Sequence, residues 1–240
     1  MGHELSSESS APPQVSIVVS TYGPDCTNLD LLLNAFLVQA HYKTVPTIDG
    51  LRHLNCLHDR PADDIHWEMI VLNDGYEASK RDWVSRNQQR ANLTLLEFPK
   101  VREYAGNADL GSQGHWGHPL RGHGIAAAKG RWTVLTNDDN YYMPSFLSRA
   151  CQETRDPDVM MVCFGTVNNL WGYRHLWPVS FEVGRIDMGS AIVRTDVARQ
   201  VGFPFRGMTG DFDYLDACRK AALERSGKIA MLEELLFVHN

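Results

Sequence analysis

The chain has 240 residues, 43% of them hydrophobic and 22% charged, with a formal net charge of −6. That length allows one large domain or two small ones with a sizeable core, and the composition is ordinary for a globular protein. The acidic balance excludes nucleic acid as the main partner, because phosphate backbones select a basic face; it leaves open one local phosphate site, particularly one built around a metal ion.

Cys26, Cys56, Cys151, Cys163 and Cys218 are scattered and contain no CxxC pair, which predicts reduced thiols in a cytoplasmic compartment and no zinc site. No run approaches the ~18 apolar residues of a membrane span, and no charged-then-apolar leader opens the chain. Residues 1–14 are Ser-, Glu- and Pro-rich and predict a disordered tail. Their start, "MGHELS", fits the loose N-myristoylation pattern at Gly2 and Ser6, which short segments match often by chance.

"VSIVVST" from Val15 reads as a strand buried on both faces. "LDLLLNAFLVQA" predicts a helix with Asn28 as its cap. Residues 42–66 carry no clear pattern, although "DGLRHLNCLHD" admits a short helix. "WEMIVLNDG" predicts a second strand, "EASKRDWVSRNQQ" a polar helix and "LTLLEFP" a third strand. A Gly/His loop spans Gly111 to Gly124, and "IAAAKG" ends a helix at Gly130. "WTVLTN" predicts a fourth strand, and Pro144 suits the first turn of the helix "PSFLSRACQET". "VMMVCFGTV" and "GSAIVRT" are later strands, "DYLDACRKAALERSG" is a long helix closed by Gly227, and "LLFVHN" is a last strand. The alternation predicts an α/β fold: one domain over residues 15–240 with a mostly parallel central sheet flanked by helices.

In such a sheet, ligands bind beyond the carboxyl ends of the strands. Three strands run into polar tips: Ser20-Thr21-Tyr22-Gly23, Asn73-Asp74-Gly75 and Asn137-Asp138-Asp139-Asn140. Each alone is ordinary turn chemistry. If the strands are neighbours, the tips share one cleft. The adjacent carboxylates of Asp138 and Asp139 repel, a cost that calls for a cation. Mg²⁺ or Mn²⁺ prefers oxygen ligands and bridges to a diphosphate. The chain has no GxxxxGK[ST] and no GxGxxG after its first strand, which argues against a P-loop NTPase and a dinucleotide dehydrogenase.

Taken in order, these segments resemble the family 2 glycosyltransferases of the GT-A (Rossmann-like) fold, which transfer sugars from nucleotide diphosphates. "VSIVVSTYG" resembles the family's opening strand, with Ser20 replacing the usual proline. "IVLNDG" resembles its second-strand signature, and "LRGHGIAAAKGRWTVLTNDDNYYMPSFL" its central stretch with an Asp-x-Asp triplet. "IDMGSAIVRTDVARQVGFPF" resembles the acceptor-side segment, "TGDFDYLDA" the motif supplying the catalytic base, and "LLFVHN" the late strand whose histidine completes a metal site.

The resemblance implies a metal-dependent, inverting transfer from a nucleotide diphosphate donor, a UDP-sugar foremost, to a hydroxyl acceptor such as a glycan. It implies that Thr21 and Tyr22 line the base and ribose, and that Asp74 accepts a hydrogen bond from the base. Arg121 falls near the diphosphate or base. Asn137 falls at a ribose hydroxyl, where the family has an acid, and Asp138 at ribose or donor sugar. Gly189 lets the donor sugar approach the backbone. Asp139 and His239 hold Mn²⁺ or Mg²⁺. Asp211 is the general base, with Asp213 as the alternative. Trp171, Tyr173 and Trp177 fall on the acceptor side, with core packing as the other reading. The loop carrying His115, His118 and His123 reads as a mobile loop over the donor, ahead of a metal site, because no carboxylate or cysteine accompanies it. Two other functions stay open: a catalytically silent nucleotide-sugar-binding protein of the same fold, and a nucleotidyltransferase, whose glycine-rich, lysine-containing loop is missing.

Overall fold

In a computed structural model, which describes residues 13–21, 23–42, 58–61, 65–99, 118–169, 175–204, 207 and 209–240, the chain alternates strands and helices. In order they are β1 (Val15–Thr21), α1 (Thr27–Leu37), β2 (Ala40–Tyr42), β3 (His58–Pro61), β4 (Trp67–Asp74), α2 (Ala78–Asn87) and β5 (Leu93–Phe98). There follow α3 (His118–Ala127), β6 (Trp132–Asn137), β7 (Tyr141–Tyr142), α4 (Phe146–Glu153), β8 (Val159–Asn168) and β9 (His175–Trp177). A 3₁₀ turn (Met188–Ser190) leads into β10 (Ala191–Arg194), α5 (Thr195–Val201), α6 (Gly210–Glu224) and β11 (Lys228–His239).

The main sheet runs β5-β4-β1-β6-β10-β8-β11-β7, with β9 on β8. The first four strands are parallel, as are β8 and β11. β10 is antiparallel to both β6 and β8, and β7 and β9 are antiparallel at the margins. Most paired positions are therefore parallel, as the sequence predicts. β2 and β3 form a separate antiparallel pair.

All seven residues of β1 are buried. Its β-branched residues fill both faces, which a strand covered by helices on each side requires. Val15, Ile17 and Val19 join Leu32 and Phe36 of α1, Trp83 of α2 and Phe146 of α4. Val18 joins Ile125 of α3, Val197 of α5 and Leu215 of α6. The two helical layers are thus α1, α2, α4 and α3, α5, α6.

Several boundaries differ from the sequence reading. α1 starts at Thr27, so Asn28 lies inside it, and the Asp25 carboxylate takes the Thr27 N–H at 2.9 Å and hydroxyl at 2.8 Å. α3 starts at His118, so half of the expected Gly/His loop is helical. Its Gly124 is there for contact: a Cβ would stand 2.3 Å from Val18 Cγ1. Pro144 precedes α4, whose Leu147 N–H is capped from a distance by Gln39 Oε1 at 2.8 Å. His58 and Asp59 fall in β3, while residues 49–57 of the admitted helix lie outside the described residues. Gln14, placed in the tail by composition, hydrogen bonds to His66 and Trp132; Gly2 and Ser6 lie outside the described residues. Cys26, Cys151, Cys163 and Cys218 are free thiols, and Cys56 is outside the described residues. Among the described residues no helix is long and apolar enough to cross a membrane.

One buried carboxylate ties β1, β4 and the end of α3 together. Glu68 Oε1 accepts from Ser16 Oγ and from the Lys129 N–H, both at 2.6 Å. Ser16 Oγ in turn accepts from the Gly130 N–H at 2.7 Å. Glu68→Ala strands these donors in a dry interior, so it should destabilise the protein by about 2–4 kcal/mol. Chemical denaturation reads this directly, and a loss below about 0.5 kcal/mol would show that the network contributes little.

Candidate functional site

The parallel register sets the polar tips level: Thr21 pairs with Asn73, and Ser20 with both Leu72 and Asn137. The tips of β4, β1 and β6 therefore form one rim, as expected if the strands are neighbours.

At the first tip, Thr21 Oγ1 donates to the Leu72 carbonyl at 3.0 Å, so its side chain serves the sheet. Tyr22 lies outside the described residues. At the second tip, Asn73 is the clamp. Its amide donates to the Glu77 carbonyl and Glu97 Oε1, both at 3.1 Å, and its oxygen accepts the Glu77 N–H. Gly75 and Tyr76 both take left-handed backbone, φ +97° and +57°; the latter is costly for a tyrosine. The turn leaves Asp74 at the lip, 8% exposed.

Arg121 of α3 enters beneath the rim and is only 1% exposed. Its Nη2 donates to Asn137 Oδ1 at 2.9 Å and its Nε to Ser20 Oγ at 3.3 Å. Its Nη1 lies 3.4 Å from Asp211 Oδ1, and its guanidinium stacks 5.3 Å from the Phe203 ring centre. The residue expected near the diphosphate is thus bound to protein oxygens of β1, β6 and α6.

Lys80 of α2 reaches the same rim from the other side, fully buried. It donates to the Asp25 carbonyl, and its Nζ stands 3.8 Å from Asp138 Oδ2. The sequence reading missed it, because a lysine in a polar helix normally faces water. It changes the repulsion argument: the chain itself supplies a cation beside Asp138.

Asp139 presents a buried Oδ1 with no hydrogen-bond partner. Burial raises its pKa, and the charge of His239 works against that rise. His239 Nδ1 lies 3.0 Å from Asp187 Oδ2, without the alignment of a hydrogen bond. Burial disfavours the imidazolium, but Asp187, then Asp139 and Asp211, outweigh it and raise the histidine's pKa. Burial pushes Asp187 upward, but His239, the Gly189 N–H at 2.7 Å and Arg121 hold it below the ordinary carboxylate value. Asp187 is a second residue the sequence reading missed; its signal was a lone acid in "IDMGSA".

Asp211 sits in the first turn of α6. Burial first, and then the charge of Asp187, push its pKa up to about 6 against the pull of Arg121 and His239. Asp213, the alternative base, accepts from Thr209 Oγ1 at 2.8 Å at the start of the same helix. At Gly189 the close approach is with the protein's own rings: a Cβ would stand 2.5 Å from Phe237 Cζ and 3.0 Å from Tyr142 Oη. That packing by itself calls for a glycine at this position.

Among the described residues no group of three His, Cys, Asp or Glu side chains is arranged to hold a metal. Asp139 and His239 feel each other's charge, and they are the two residues that would hold a cation, the former through its unpartnered oxygen. A hard cation there would complete its shell with phosphate and water oxygens. His123 is remote in character, its ring 4.9 Å from that of Phe98. Trp177 lies half-buried on β9, whereas Trp171, Tyr173 and His115 are outside the described residues and His118 opens α3.

No protein-family model matches the chain, and no curated protein does. Solved structures do. S. aureus TarS 1–349 superposes with a TM-score of 0.63 at 12% identity, over 95% of this chain and 60% of that one. TarS 1–349 in complex with UDP gives 0.62 at 15%, over 94% and 60%. The complex with UDP-GlcNAc gives 0.62 at 16%, over 94% and 58%. At these identities the likeness is one of fold. The present chain spans about three fifths of the length of those structures.

Asp211 carries a stability cost that its ionised form creates. Its folded pKa lies above the ordinary 3.8, so stability is lost as pH rises through the interval from about 4 to about 6. Asp211→Asn should therefore stabilise the protein at pH 7.5, by on the order of 1–2 kcal/mol. The gain should shrink as pH falls through that interval and vanish below about pH 3, where the carboxyl is protonated in both states. Thermal melts of both proteins across that range measure it; a destabilised Asn variant at pH 7.5 would contradict the assignment.

Proposed function

We propose that the chain is a metal-dependent, inverting glycosyltransferase of family 2. It moves a sugar from a nucleotide diphosphate donor, a UDP-sugar foremost, to a hydroxyl acceptor, a glycan foremost. One observation carries the reading. A carboxyl pushed up to about 6, Asp211, is held by Arg121 beside the level tips of three parallel strands. The shared fold supports it: TarS is a glycosyltransferase, and its structures contain UDP and UDP-GlcNAc. Free thiols at the described cysteines support a reducing, cytoplasmic setting.

The donor lies across the rim. Asp74 accepts the N–H of the base, and the backbone at Thr21 lines the base and ribose. Asn137 and Asp138 sit below the ribose and sugar, held by Arg121 and Lys80. Asp139 and His239 are the residues that would hold Mn²⁺ or Mg²⁺, which when bound offsets charge on the diphosphate. The acceptor oxygen attacks the anomeric carbon from the face opposite the diphosphate. As that bond forms, the carbon–phosphate-oxygen bond breaks, its electrons leave with the diphosphate, and the hydroxyl proton passes to Asp211. A base with a pKa near 6 is ionised at neutral pH and still takes a proton effectively. Asp213 is occupied by Thr209, which favours Asp211 for the role.

The second reading, a silent nucleotide-sugar-binding protein, draws on Asn137, an amide where the family carries an acid and whose oxygen Arg121 takes. Assays with UDP-, GDP- and dTDP-sugars, Mn²⁺ and a panel of hydroxyl acceptors separate the two. Asp211→Asn should cut kcat by about 10³-fold while donor binding by calorimetry persists. Wild-type kcat/KM should fall about tenfold per pH unit below about pH 6, as the base is protonated. Asp139→Ala should abolish Mn²⁺-dependent donor binding with the fold intact. Equal activity of wild type and Asp211→Asn would overturn the base assignment. Donor binding with no product for any acceptor would favour the silent protein.

A further inference from the structure

Lys80 is 0% exposed, yet it lies in the first turn of a helix whose neighbouring residues face water. An ammonium group is carried into an interior only when charge and hydrogen bonds meet it there. Here the Asp25 carbonyl, from the loop after β1, accepts a hydrogen bond from its ammonium, and Asp138 Oδ2 stands 3.8 Å away. The Asp25 carboxylate also feels its charge, after the Thr27 bonds that chiefly lower that group's pKa.

We propose that Lys80 is the built-in counter-cation of the acidic strand tip. It offsets the charge of Asp138, so the tip offers one acid, Asp139, to an incoming divalent cation in place of two. The contrast within the tip carries the inference: Asn137 is bound by Arg121, Asp138 is faced by Lys80, and Asp139 alone of the three keeps a buried oxygen without a hydrogen-bond partner. A divalent cation then meets a site too weakly charged to hold it firmly alone, and the diphosphate must bring the missing negative charge. Lys80 is thus a positioning residue that sets the order of assembly, cation and nucleotide together. Only this last consequence rests on the glycosyltransferase reading; the pairing stands on the contacts.

The test is a cycle of wild type, Lys80→Met, Asp138→Asn and the double variant. It is read by thermal unfolding and by the free-ion EPR signal of Mn²⁺ alone. Lys80→Met leaves Asp138 without its cation and should lower the Tm by on the order of 10 °C. The double variant should recover at least half of that loss. Lys80→Met should bind Mn²⁺ about tenfold more tightly than wild type, the double variant should return to the wild-type level, and Asp139→Ala in the Lys80→Met background should remove the gain. If Lys80→Met does not fold but the double variant does, the pairing is supported. Additive Tm losses, unchanged Mn²⁺ affinity in a folded Lys80→Met protein, or failure of both Lys80 variants while Asp138→Asn folds would each overturn it. Neither readout uses a sugar donor, so a protein without transferase activity leaves the proposal standing.

Discussion

A buried guanidinium holds the working end of this protein together. Arg121 is 1% exposed and binds oxygens from three elements that are distant in sequence: Ser20 on β1, Asn137 on β6 and Asp211 on α6. A planar fork with five donors suits such a junction, because one group fixes several acceptors at set angles. Its cost is the desolvation of a full charge, which the stack on Phe203 and the nearby acids offset. Without it, the candidate base and the strand tips would have no common reference, and their spacing would depend on loop conformation.

Charge balance follows from that arrangement. Asp138, Asp139, Asp187 and Asp211 gather around Lys80, Arg121 and His239. Four acids face two permanent cations and one imidazole whose pKa its acidic neighbours raise against the effect of burial. The imbalance falls on the least neutralised groups. Asp187 has His239, a backbone N–H and Arg121, and its pKa falls. Asp211 is raised by desolvation first and then by the charge of Asp187, and Arg121 at 3.4 Å and His239 only partly offset this. Desolvation raises both carboxyls, and the partners that reach each one decide the direction of its net shift, which separates a structural acid from a candidate base.

The parallel half of the sheet was legible because its signals are local. An all-apolar β-branched run such as Val15–Thr21 identifies a strand, and three polar tips identify a rim without any contact being known. What the sequence hid was burial that contradicts residue type. Lys80 looks like a solvated lysine and Asn73 like a turn residue, yet both are interior clamps. His118 to Gly124 looked like a loop because glycine discourages helices. Val18 explains the exception, since α3 crosses β1 so closely that a side chain at Gly124 would collide with it. Propensity is a one-residue property, and Lys80 and Gly124 are decided by partners more than fifty positions away, Asn73 by Glu77 and Glu97.

The remaining half of the site depends on a reversed strand. In a parallel sheet functional groups collect at carboxyl ends, and a reader of tips looks only there. β10 runs against β6, pairing Val193 with Thr133 and Arg194 with Trp132. Its amino end, not its carboxyl end, therefore arrives at the rim. That reversal places Asp187 and the Met188–Ser190 turn next to the tip of β6. β11 runs parallel to β8 and brings His239 level with Asn168, while β7 pairs Tyr141 with Val238 and folds the segment after Asp139 against the same strand. A single antiparallel insertion thus adds a second set of acidic and imidazole groups to a rim built from parallel strand tips. Had β10 run parallel, its carboxyl end, Arg194, would stand where Ala191 stands, and the segment carrying Asp187, the acid 3.0 Å from His239, would leave from the far end of the strand.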